Sequence, residues 1–304
     1  MTTILPMEIL VSVLESLELD LGTLFVCSLA CRGLCKVAVP ILYRQPFQLC
    51  QESSYFKLVS VYLPYLPEFD RQSPNIYELP LFDYPSYLQS VSGSKLQIAI
   101  DAYNKECEGM PNLQEVKPLR FLHMLLTNAR QILHLGLEEW ACMQRTSVFN
   151  ELYVTSQSQR HLKSLEISVN GRSLLESFYT PTSLEARIAA LIRAQKELEV
   201  FAFDGQLFRH ESEIMDALLT QKNTLRELRI YCKYHERFDF VSWLKAVPML
   251  RVFKLFATTP VNRELLKYLN QRRNELGTNF SFTVREAVSF PDLLAAMRFE
   301  SNCQ

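Results

Sequence analysis

Few residues of this chain are spaced to do chemistry. Cys27, Cys31 and Cys35 recur every four residues, which aligns three thiols on one helical face. A thiolate zinc site needs four tetrahedral ligands, and no second Cys or His pair follows at a suitable spacing, so the three are read as buried helical thiols. Cys232 and His235 form a lone C-x-x-H pair, read as a core or edge thiol beside a loop histidine. The five histidines, His123, His134, His161, His210 and His235, are dispersed. Glu138 and Glu139 are adjacent, so on a strand their carboxylates face opposite ways and cannot share acid/base work. There is no Walker loop, G-x-S-x-G elbow, H-E-x-x-H pair or dinucleotide fingerprint. These residues point away from an enzyme and call for no cofactor or metal.

Residues able to recognise a partner are better organised, because a hexad of the form Leu-x-x-Leu-x-Leu recurs. Copies stand at Ile132/Leu135/Leu137, Leu162/Leu165/Ile167, Leu198/Phe201/Phe203, Leu225/Leu228/Ile230 and Leu250/Phe253/Leu255, with a degenerate one at Gly277/Phe280/Phe282. Their starts lie 25 to 36 residues apart, room for a strand, a loop and a full helix. The intervening stretches carry helical stripes: Leu184/Ile188/Leu191/Ile192, Ile214/Leu218/Leu219, Phe240/Trp243/Leu244 and Leu265/Leu266/Leu269. Alternation sends the two later hexad residues to the core and their neighbours to the opposite face of a sheet. That face presents His134 and Glu138; Ser164, Glu166 and Ser168; Val200, Ala202 and Asp204; Glu227, Arg229 and Tyr231; Val252, Lys254 and Phe256. Arg229, Tyr231, Lys254 and Phe256, with Asp204 beside them, are the candidate substrate-binding residues, since arginine with aromatics is the composition of a binding hot spot. Two cations there suit a segment offering acidic and apolar groups. The other reading is a solvated sheet with cross-strand pairs such as Glu227 with Lys254.

Three further helices are expected over residues 1–47. Ile9, Leu10, Val13, Leu14 and Leu17 recur at helical spacing after Pro6; Asp20 can cap a second helix through Leu24 and Ala30; Gly33 breaks before a third from Leu34 to Tyr43. Three short helices enclose little core, so part of this apolar surface needs a partner. Residues 48–117 then form a Pro/Tyr-rich connector, ordered because its aromatics are costly to expose, with short helices at 56–63 and 94–107.

The string Leu5-Pro6-x-Glu8-Ile9-Leu10-x-x-Val13-Leu14, with Leu24-x-x-Cys27-Ser28-Leu29-Ala30-Cys31-Arg32 and Val37-Ala38-x-Pro40-Ile41-Leu42-Tyr43-Arg44, resembles an F-box of the fungal type. Leu34 stands where that family often has Trp. The resemblance implies docking onto the Skp adaptor, and through it a cullin scaffold, by Leu5, Pro6, Ile9, Leu10, Val13, Leu14, Leu24 and Cys27. Residues 118–304 resemble the irregular leucine-rich repeats found behind such F-boxes, without a clear asparagine ladder. The expected fold is therefore α/β: an N-terminal three-helix F-box, an ordered connector and an irregular leucine-rich-repeat solenoid. The function this combination implies is that of a non-catalytic substrate-recognition subunit of an SCF-type cullin ubiquitin ligase with an unknown protein substrate. A leucine-rich interaction scaffold outside any ligase is the alternative.

Composition agrees with a globular chain: 304 residues, 48% hydrophobic and 21% charged, with a formal net charge of -1. Near-neutrality offers no general attraction to nucleic acid or anionic lipid. Arg263, Lys267, Arg272 and Arg273 are interleaved with Glu264 and Glu275 and are read as a solvated helix face. No signal peptide is visible, and the longest uncharged apolar stretch, Leu21 to Cys31, is well short of the roughly 18 residues of a membrane span. Free thiols without a signal peptide lead to an expected cytoplasmic or nuclear location, with neither membrane nor nucleic acid as partner.

Overall fold

The computed structural model describes residues 6–66, 80–108, 115–137, 161–168, 181–204, 212–232, 238–257 and 261–286. The chain is mixed α/β, and the strands of its second half follow one another in the sheet in chain order. It divides into two compact units, Met1–His134 and Leu135–Gln304.

In the first unit, α1 (Met7–Glu15), α2 (Leu21–Ala30) and α3 (Arg32–Leu42) lie near the three expected helical stretches, but the break before α3 falls at Cys31, in extended backbone, and Gly33 lies inside the helix. Asp20 caps α2 by accepting from the Thr23 backbone N–H at 3.0 Å, and this bond holds its carboxyl below the usual carboxylate range. Leu14, Leu24, Ala38 and Ile41 form the core between the helices, with Leu10, Leu17, Cys27, Leu34, Val37 and Leu42 packed against them. Leu34 thus fills its site with a smaller apolar side chain than the Trp expected from the resemblance. Arg44 closes the group by donating to Glu15 at 2.6 Å.

The chain continues through α4 (Pro46–Leu49), α5 (Tyr55–Tyr62), α6 (Tyr84–Tyr87), β1 (Ser90–Ser92), α7 (Gly93–Cys107) and α8 (Pro118–Asn128). Aromatics join these elements. Phe47 stacks on Tyr62 at 5.6 Å, Phe121 meets both edge-on, and Tyr43 lies 4.3 Å from Tyr84. Burial pushes the Tyr43 phenol up to about 12, so it stays neutral. Because Tyr43 and Phe47 belong to this cluster, a cut after residue 47 would open it.

β1 is a strand that the hexad pattern missed. Gln89 and Ser90 both donate their backbone N–H to the Arg44 carbonyl, at 2.8 and 3.0 Å, and Leu133 and His134 both donate to the Gln89 carbonyl. Leu88, Val91 and Gly93, all buried, trace a hexad in outline. Its last position is a glycine that opens α7, which erases the apolar signal.

β2 (His134–Leu137) begins at the last residue of the first unit, and the second unit continues with β3 (Ser164–Ser168), β4 (Val200–Asp204), β5 (Glu227–Cys232), β6 (Val252–Ala257) and β7 (Ser281–Glu286). The same shared-carbonyl rung recurs. Lys163 O accepts from Glu199 and Val200, Glu199 O from Arg226 and Glu227, and Arg226 O from Arg251 and Val252. Strands β3 to β7 are parallel, and the register Leu165, Phe201, Leu228, Phe253 places four hexads side by side. The last copy is corrected: Phe253 pairs with Phe282 and Leu255 with Val284, so it reads Asn279/Phe282/Val284, two residues later than expected. The cause is Gly277, which ends the preceding helix at φ 59 and delays the strand by a further turn.

Helices α9 (Pro181–Ala194), α10 (Glu213–Leu219), α11 (Phe240–Ala246) and α12 (Arg263–Leu276) alternate with these strands, and buried polar side chains tie each to the next. Ser212 caps α10 and donates to Glu185 of α9 at 2.8 Å, while the Trp243 indole N–H of α11 donates to the Met215 carbonyl at 3.0 Å. Gln195 accepts from Leu162 N–H, and Gln221 donates to the Ile192 and Gln195 carbonyls. These glutamines satisfy turn backbone groups, the part an asparagine ladder plays in regular leucine-rich repeats. Arg272 is also corrected: it is 6% exposed, not part of a solvated face. Its guanidinium donates to the carbonyls of Leu244, Val247, Pro248 and Leu250 and covers the Phe280 ring at 5.0 Å, capping the end of α11.

Arg272→Met leaves those carbonyls without their donor and is expected to cost about 3 kcal/mol of stability. The exposed neighbour Arg273→Met should change it by less than about 0.5 kcal/mol. Urea unfolding of the two variants checks the difference.

Candidate functional site

No group of three or more His, Cys, Asp or Glu side chains able to hold a metal exists among the described residues. The thiols differ from expectation: Cys27 and Cys35 are half-buried and Cys31 is exposed. Cys31 sits in extended backbone between α2 and α3, so the helical face that would have buried all three is interrupted there. His235, Glu138 and Glu139 lie outside the described residues. Two surfaces remain, one in each unit.

The first is the outer side of α1 and α2. Of the residues the F-box resemblance implied for docking, Leu5 lies outside the described residues and Pro6 is exposed. Leu14 and Leu24 are 2% and 0% exposed, and Leu10 and Cys27 pack against them, so these four hold the helices to one another. Ile9 and Val13 point outward, 48% and 52% exposed. Met7, Leu19, Phe25, Val26 and Leu29 are exposed as well, Leu29 by 70%. Ile9 and Val13 are one helical turn apart on α1, as are Phe25 and Leu29 on α2, so each helix carries a continuous outward stripe. A core already closed by Leu14, Leu24, Ala38 and Ile41 leaves no internal place for these side chains.

The second surface is the sheet face opposite the hexad core, arranged in rows by the register. One row runs Ser164, Val200, Glu227, Val252, Ser281; the next Glu166, Ala202, Arg229, Lys254, Thr283; the last Ser168, Asp204, Tyr231, Phe256, Arg285. The five candidate residues therefore do share one face. Arg229 stands beside Lys254, Tyr231 beside Phe256, and Asp204 beside Tyr231.

Their environments depart from an open cationic patch. Arg229 bonds Glu227 of its own strand at 2.6 Å and reaches Glu166 on β3 at 3.8 Å, passing over Ala202, whose small side chain leaves the space. Its charge is already matched by two carboxylates. The Tyr231 and Phe256 rings stack at 4.6 Å and 14°, and both are buried, with the Arg285 guanidinium 5.9 Å from the Phe256 centroid. Asp204 is 3% exposed. One of its oxygens accepts from the Ser168 hydroxyl at 3.0 Å and the other has no partner. Burial pushes its carboxyl up to about 6, against the lowering effect of the Ser168 bond.

Alternation alone could find which residues share a face. It carries no signal for Glu166 as the second partner of Arg229, two strands away, nor for the outward turn of Phe25, Val26 and Leu29. No family model, curated protein or solved structure matches the chain.

Because the Asp204 carboxyl is raised from 3.8 to about 6, the fold favours its protonated form. Its contribution is therefore fully present below the unfolded value and lost as pH rises through about 6. Lowering the pH from 7.5 to 5 should stabilise the protein by about 1 kcal/mol more than it stabilises Asp204→Asn. Urea unfolding of both proteins at the two pH values measures that difference.

Proposed function

We propose that the protein is the substrate-recognition subunit of an SCF-type cullin ubiquitin ligase, working in the cytoplasm or nucleus. In this reading α1 to α3 are an F-box that docks the Skp adaptor, and the strand–helix units of the second half are irregular leucine-rich repeats that hold a protein substrate. The observation that carries it is the outward apolar stripe of Ile9, Val13, Phe25, Val26 and Leu29 on helices whose own core is complete. Exposed apolar side chains repeated along one face of each of two helices are the composition of an interface centre. The ordered spacing of Leu5-Pro6, Ile9-Leu10, Cys27 to Arg32 and Pro40 to Arg44 supports the same reading. The chain's part is to position a substrate near the ligase's transferring enzyme, and it makes and breaks no covalent bond itself.

The burial pattern selects the residues for the test. The double variant Ile9→Asp, Phe25→Asp places charge in the outward stripe, where it should cut capture of recombinant Skp adaptor at least tenfold while the thermal melt stays unchanged. Leu14→Asp should lose capture together with the fold of the three helices. Pull-down of the adaptor with circular dichroism of each variant provides the comparison. Full capture by the folded double variant contradicts the docking surface, and no capture by the unaltered chain leaves the scaffold outside a ligase as the better reading.

A further inference from the structure

Charge accounting on the sheet face reverses the ligand chemistry expected from its composition. Arg229 is largely enclosed, and Glu227 and Glu166 already match it. Asp204 is in the opposite condition: 3% exposed, bonded through one oxygen to the Ser168 hydroxyl, with its second oxygen unpartnered. A buried carboxylate in that state is stabilised by a donor, above all a charged one.

Its surroundings suit such a donor. Asp204 ends β4, at the carboxyl edge of the parallel strands. On one side stands the Ser168 hydroxyl and on the other Tyr231, stacked on Phe256. Aromatic faces attract cations, and Arg285 already lies over the Phe256 ring in the same row. One carboxylate and one hydroxyl are too few oxygens for a calcium or magnesium site.

We propose that the Asp204 carboxylate, with the Ser168 hydroxyl and the stacked rings of Tyr231 and Phe256, receives a basic side chain of the protein segment bound by the second unit. This inference rests on the reading of that unit as the substrate-binding part. It makes the recognised segment basic at this point, where the composition of the face pointed to an acidic one.

The test uses the full chain and two blocked amino acids of nearly equal shape, N-acetylarginine amide and N-acetylcitrulline amide, the second without charge. Binding is read from the NMR shift of the Ala202 methyl, two residues before Asp204 on the same face. The arginine probe should bind saturably at pH 7.5, at least tenfold more tightly than the citrulline probe, and Asp204→Asn should abolish that preference. In the unaltered chain the arginine probe should also weaken severalfold at pH 5, where Asp204 is protonated, so the proposal remains testable if the variant fails to fold. Equal affinity for the two probes, no binding of either, an arginine affinity undiminished at pH 5, or a preference that survives in the folded variant overturns it. Adaptor capture on the same samples separates the two proposals: capture retained without probe binding sinks the basic-ligand site alone, whereas probe binding without capture sinks the ligase reading alone.

Discussion

One carbonyl oxygen accepting two successive backbone N–H groups sets the architecture. It recurs at Arg44, Gln89, Lys163, Glu199 and Arg226, each accepting from the first residue of the next strand and from the residue just before it. A carbonyl has two lone pairs, so this bifurcation uses both and satisfies the strand entry without a side chain. It also fixes where each strand begins relative to its neighbour, and so brings hexad residues into the same row. Helices must then return the chain from one strand to the next, and their buried links, Glu185 to Ser212, Trp243 to Met215 and Arg272 to Leu244, hold that return in place.

How much of this could be read from the residues depends on what each signal reports. Hexads at Leu162, Leu198, Leu225 and Leu250 were legible because both inward positions are large and apolar, and their register is as spaced. The β1 copy was hidden by Gly93, and the final copy slipped by two because Gly277 turns the chain before β7. Charged residues misled in the opposite direction. Arg272 sits on a helix otherwise rich in exposed polar groups, so nothing local marks it as the donor to four carbonyls. Likewise the apolar stripe of α1 announced a helix with more surface than three helices can bury, but not that Leu10 and Leu14 turn inward while Ile9 and Val13 turn out.

The two candidate surfaces use different physics. On α1 and α2 the driving term is apolar area, non-directional and tolerant of exchange among Ile, Val, Leu and Phe. On the sheet face it is charge arrangement: Arg229 is neutralised across Ala202, and Asp204 is enclosed with one of its two oxygens unpartnered. Such a division suits a subunit that must hold one constant partner through an apolar contact and choose another through specific polar groups. In the proposed subunit, salt and pH would act on the polar contact far more than on the apolar one.

Hydrogen exchange of the full chain with and without the Skp adaptor tests this account most directly. Adaptor binding should slow exchange in Met7–Glu15 and Leu21–Ala30 while leaving β3 to β7 unchanged. Unchanged exchange across both helices in the presence of saturating adaptor would contradict the account.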